Sequence, residues 1–141
     1  MAAEKSTPSG APLSLDHVSM MVPDIGAGVA WYQDKLGAEL LDRWDNPDIG
    51  MEWAKLALGD FILELVTRPG LSPDAVRGYG YHHLAITVPD CDALVDELQA
   101  KGVELMSPPR DFDRHSTRWS FVKDNFGNII EIVSALPQRE G

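Results

Sequence analysis

The alternation of apolar and polar positions occurs twice along this chain. Residues 17–24 and 83–90 share His, Val, Pro and Asp at four of eight positions, 66 residues apart. Trp53 and Trp119 keep that offset. The run Ile62-Leu63-Glu64-Leu65-Val66 returns as Ile129-Ile130-Glu131-Ile132-Val133, one residue further on, a slip that a longer turn at 124–128 absorbs. Such self-similarity marks two copies of one structural unit. Each copy opens with an apolar run closed by Val-Pro-Asp, where Pro ends a strand and Asp suits a helix N-cap. Ile25, Val29, Tyr32 and Leu36 then recur at helical spacing before Gly37, and Leu94, Val95 and Leu98 do so before Gly102. Three stretches of strand character follow each helix: 38–44, 51–58 and 61–66 in the first copy, and 103–106, 117–123 and 129–133 in the second. The residue types at 46–48, 59–60, 107–109 and 125–128 read as turns. The pattern predicts an α+β fold of two tandem βαβββ modules.

Both copies carry a His near the start of the first strand, His17 and His83, and a Glu in the middle of the last, Glu64 and Glu131. A carboxylate amid apolar neighbours on an inward strand face is costly unless it is paired or holds a cation. No Lys or Arg stands within either strand to pair with it. If a pseudo-twofold axis relates the copies, the four side chains can converge, and two imidazoles with two carboxylates form a divalent-metal site. Strand alternation is expected to send His82 to the face opposite His83.

Composition narrows the function classes. The 141 residues carry a net charge of −10, which argues against nucleic acid as a partner. The single cysteine, Cys91, excludes an intramolecular disulfide. Among flanking Asp residues it is assigned no role. No apolar run reaches the length of a membrane span. The N-terminal stretch lacks the apolar core of a signal peptide, so the expected location is cytoplasmic. Residues 1–14 and 135–141 read as tails around one domain, 15–134, with modules 15–67 and 81–134 joined by the Pro- and Gly-rich linker 68–80. His115, in a polar loop, reads as solvated. Trp53 and Trp119 read as packing residues, and Arg68, Arg77 and Arg110 as surface charge.

The paired modules, the two Val-Pro-Asp segments and the stretch Asp124-Asn125-Phe126-Gly127-Asn128-Ile129-Ile130-Glu131 resemble the vicinal oxygen chelate superfamily. This group includes glyoxalase I, methylmalonyl-CoA epimerase, extradiol dioxygenases and bleomycin-resistance proteins. The usual Asp-Pro-Asp-Gly-Asn turn is altered at 124–128. The resemblance implies an eight-stranded open cup-like sheet, often completed in a homodimer, with a divalent ion (Ni, Co, Zn, Mn or Fe) at His17, Glu64, His83 and Glu131. It implies a glyoxalase I-like lyase or isomerase acting on a small oxygen-chelating carbonyl substrate through a metal-stabilised enediolate. Glu131 is expected as the base, with Glu64 as the alternative. The resemblance leaves two other functions open, an Fe(II) ring-cleaving dioxygenase and a non-catalytic binder conferring drug resistance. A ligand set with a fourth member favours the lyase over the dioxygenase.

Overall fold

In a computed structural model, residues 16–70 and 82–137 are described. The expected tail 1–14, residues 138–141 of the expected tail 135–141, and most of the linker lie outside them, as does Arg77; Ala135 belongs to the last strand instead of the tail.

The first module runs β1 (Val18–Met21), α1 (Ile25–Leu36), β2 (Glu39–Asn46), β3 (Met51–Leu58) and β4 (Phe61–Thr67). The second runs β5 (Leu84–Thr87), α2 (Cys91–Ala100), β6 (Glu104–Phe112), β7 (Thr117–Lys123) and β8 (Ile129–Ala135). The eight strands form two four-stranded sheets of the same order, β1-β4-β3-β2 and β5-β8-β7-β6. In each, the first strand lies parallel to the last and the other pairings are antiparallel.

The same local devices build both copies. Asp24 caps α1 by accepting from the Ala27 N–H at 2.9 Å, and Asp90 caps α2 from Ala93 at 3.0 Å. Gly37 ends α1 in the left-handed region at φ 67°, a conformation that costs glycine least. The repeat extends into the core. Ile25, Val29 and Tyr32 of α1 are buried, as are their counterparts Cys91, Val95 and Leu98 of α2. Cys91 is therefore a packing residue. Burial pushes its thiol pKa up, and the Asp92 charge adds to this, so the helix start does not activate it.

Alternation then orients the sheets. Ala54, Leu56, Leu63 and Leu65 are fully buried toward the helices, as are Ile130 and Ile132. Glu64 and Glu131, next along their strands, face the other side.

The modules join through their helical sides. Tyr32 of α1, fully buried, donates its hydroxyl to Asp124 of the β7–β8 turn at 2.8 Å. Asp124 also accepts from the backbone N–H of Phe126 and Asn128 and from the Asn128 amide. Phe126 packs beside Gly28, where an added Cβ would lie 2.9 Å from Leu65 Cδ1. One hydrophobic core thus serves both modules, and the outer face of each sheet turns away from it.

One turn expectation fails. Ser107-Pro108-Pro109 does not end a strand but lies within β6, which continues to Phe112. Proline lacks the ladder N–H, and β6 tolerates two because it is an edge strand with register shifts between Leu105 and Arg110.

Candidate metal centre

The four repeated side chains form two equivalent pairs. His17 lies just ahead of β1, and its Nε2 stands 3.7 Å from Glu64 Oε2. His83 lies just ahead of β5, and its Nε2 stands 3.0 Å from Glu131 Oε2. The parallel register of each first strand with its last brings them together: Ser19 pairs with Glu64 and Ala85 with Glu131. All four side chains are partly exposed, Glu64 least at 12%.

In each pair the other imidazole nitrogen is already engaged. His17 Nδ1 lies 2.7 Å from Asp16 Oδ2, an acceptor, so the Nδ1 proton is fixed and Nε2 keeps its lone pair when the ring is neutral. That hydrogen bond holds the Asp16 carboxyl below its ordinary range, with the His17 charge and, more weakly, Lys55 adding to it. His83 Nδ1 lies 2.7 Å from His82 Nδ1. One of these nitrogens must donate and the other accept. With His83 donating, its Nε2 is free toward Glu131 and His82 carries its own proton on Nε2. His82 therefore does not point away, as alternation suggested. Both histidines precede the strand, where no sheet pairing enforces opposite faces.

The donors fit a divalent cation. Two ligands about 2.1 Å from one ion at angles between a right angle and tetrahedral stand about 3.0–3.4 Å apart. The separations of 3.0 and 3.7 Å lie close to that range. Two lone pairs facing each other at such distances need a proton or cation between them. Each pair supplies only two ligands, however. Among the described residues, no group of three His, Cys, Asp or Glu side chains gathers to hold a metal ion. One chain thus assembles His17 with Glu64 and His83 with Glu131, but does not bring the two pairs together. The physical reason lies in the packing: the modules share their helical sides, while both pairs sit on the outer sheet faces.

The surroundings of the pairs differ. Ser19 donates to Glu64 Oε1 at 3.0 Å, whereas Glu131 has only His83 among the described residues. Phe121, in register with Glu131, stands edge-on to His83 with ring centroids 5.3 Å apart. In the first module, Lys55 occupies the position in register with Glu64. The search for a cationic partner within the strand missed it, because the neighbour across a sheet is distant in sequence. Further along β7, Trp119 carries the Arg110 guanidinium over its ring at 4.9 Å. In the first module Trp53 stacks on Trp44. His115 is exposed, beside Phe112. An open crevice of about 760 Å³ between α1, the β3–β4 turn and β5 contains none of the four paired residues.

The comparisons with known proteins decide the family. Residues 14–132 match the Glyoxalase/Bleomycin resistance protein/Dioxygenase superfamily. The chain belongs to that superfamily. Among its glyoxalase-superfamily relatives, "Lactoylglutathione lyase GLX1" of Arabidopsis thaliana is 30% identical over 88% of this chain and 45% of its own length. "Probable lactoylglutathione lyase" of Vibrio cholerae is 30% identical over 83% of this chain and 87% of its own. "Methylmalonyl-CoA epimerase, mitochondrial" of Mus musculus is 28% identical over 86% and 72%. Glyoxalase I from Zea mays superposes with a TM-score of 0.72 at 27% identity, covering 86% of this chain and 44% of the maize chain. A glyoxalase family protein from Enterococcus faecalis gives 0.75 at 25% identity, covering 85% and 96%. The chain thus spans less than half of the plant proteins and most of the bacterial ones. Its superfamily relatives include both lyases and epimerases.

Proposed function

We propose that this protein is a divalent-metal-dependent lyase or isomerase of the glyoxalase type, in which two copies of the chain complete each metal centre. His17 and Glu64 of one copy would face His83 and Glu131 of the other. The observation that carries this reading is the pair of equivalent His–Glu half-sites, each with its Nε2 aimed at a carboxylate and each two ligands short of a full set. A twofold dimer joins unlike halves twice and leaves neither unpaired. The outer faces also carry apolar side chains for such an interface. Met21 and Trp44 are exposed on the side of Glu64, and Phe112 on the side of Glu131. Relatives about twice as long have room for both copies in one chain.

A divalent ion at these ligands supplies Lewis-acid stabilisation to negative charge on adjacent substrate oxygens. The rest falls to the chain. The substrate is a small compound with a carbonyl beside an acidic carbon. Glu131 takes the proton from that carbon and returns it to the product. It suits the task better than Glu64 because no hydroxyl among the described residues holds it, whereas Ser19 fixes Glu64. The edge of Phe121 against His83 shields one flank of the site from water.

Elemental analysis of purified protein and of His17→Ala tests the proposal. The expected result is about one divalent ion per chain, falling to near zero in the variant, with Glu131→Gln keeping metal but losing turnover. A metal-free wild-type protein, even after incubation with Ni, Co, Zn, Mn and Fe salts, would overturn it. A redox-active iron centre that consumes oxygen with catechols would point to ring cleavage instead.

A further inference from the structure

The pseudo-twofold repeat is broken beside the half-sites. In the second module the residue in register with the strand glutamate is Phe121, and in the first it is Lys55. Directly opposed residues of an antiparallel pair project from the same face, with Cβ atoms about 5 Å apart. Lys55 therefore stands on the side of Glu64, while Ala54 and Leu56 beside it are buried in the core. Yet Glu64 does not take it as a partner. One carboxylate oxygen accepts from Ser19 and the other is turned to His17. Asp42 lies in register on the other flank, and it too makes no ion pair among the described residues. Lys35, Arg43, Lys101, Arg118 and Lys123 have carboxylate partners, whereas Lys55, Arg68, Arg110 and Arg114 have none among the described residues, and of these four Lys55 is the one in register with a strand glutamate. In a chain of net charge −10, Lys55 is a half-buried residue beside the site that makes no ion pair among the described residues, its charge acting only weakly on Asp16.

We infer that Lys55 determines substrate class: it binds a carboxylate carried on, or next to, the carbon that exchanges its proton. The inference rests on the function proposed above and narrows it. The site then takes a small carbonyl acid in preference to a neutral analogue. The acid group lies toward Lys55, and the apolar part toward Phe121 of the other half. A chain with an apolar residue at both register positions would have no such preference.

The alternative is that Lys55 only offsets the nearby carboxylates Asp16, Asp42 and Glu64. Binding separates the two. Full-length protein loaded with zinc is titrated calorimetrically with malonate and with malonamate, in which one carboxylate is replaced by an amide. The ratio of the two affinities is compared in wild type, Lys55→Met, Lys55→Arg and Lys123→Met. The expected result is a ratio about five- to tenfold lower in Lys55→Met, largely kept in Lys55→Arg and unchanged in Lys123→Met, which removes an equal charge at the end of β7. A change below about twofold in Lys55→Met, or an equal change in Lys123→Met, overturns the inference. Zinc affinity is measured first on the same samples. Failure of wild type to bind zinc counts against the proposed metal centre. The same ratio, read by NMR titration of the metal-free protein, then decides for or against Lys55.

Discussion

If each metal centre draws one half from either copy of the chain, two inactive variants should repair each other. Let one variant carry His17→Ala and Glu64→Ala, and the other His83→Ala and Glu131→Ala. Each homodimer then has no complete centre, because every centre pairs an intact half with a stripped one. In a mixed dimer the four intact residues meet at one centre and the four alanines at the other. Random exchange of equal amounts makes about half the dimers mixed, each with one of its two centres whole, so about a quarter of the wild-type metal returns. The assay is zinc bound per chain after the variants are unfolded together, refolded and freed of excess metal. Turnover should return in the same proportion. The partly exposed ligands sit on outer faces, so their truncation leaves the shared core untouched. Metal that stays near zero after mixing, while each variant remains folded, would refute the split-centre reasoning.

Two further outcomes follow from the fold. Tyr32→Phe removes one donor from the buried Asp124 carboxylate, and a hydrogen bond to a charged acceptor contributes about 2 kcal/mol, so the urea midpoint should fall by about 1 M. An unchanged midpoint would show that Asp124 is satisfied by its own turn. Asp92, held below its ordinary carboxyl value chiefly by its hydrogen bond from Arg118, contributes stability that is fully present above pH 3.8 and lost as pH falls through its lower folded value. The urea midpoints of wild type and Asp92→Asn should therefore differ near neutrality and draw together as the pH falls below 3.8; a gap that stays constant into acid would contradict the ion-pair account.

Much of the architecture is legible in the sequence because the repeat states it twice. Helix starts follow from Asp24 and Asp90, and β3, β7 and both helices fall close to where periodicity places them. The proline pair in β6 misleads, since it breaks a central strand but not an irregular edge. The His–Glu pairings are legible from the recurrence of both residues at matching positions. Asp16, His82 and Lys55 are not, for different reasons. Asp16 and His82 act just outside a strand, where alternation gives no direction. Lys55 acts across a sheet pairing whose register no local pattern encodes. The separation of the two pairs is equally hidden. It depends on which faces the modules bury against each other, and both faces of each sheet are largely apolar.

The joint between the modules is fastened unequally on its two sides. Tyr32 and Asp124 have no counterpart across the pseudo-twofold axis: Leu98 stands where the tyrosine would be, and the short turn at Gly59 and Asp60 replaces the longer one. On the other margin lies the crevice between Leu36, Phe61 and Ile86, spanned only by an exposed hydrogen bond among the described residues, from Lys101 Nζ to the Asp34 carbonyl at 3.0 Å. The bond at Tyr32 is buried and the bond at Lys101 is exposed, so water can replace the second at far less cost than the first. Loss of the Lys101 bond therefore loosens the union of the two halves less than loss of the Tyr32 bond.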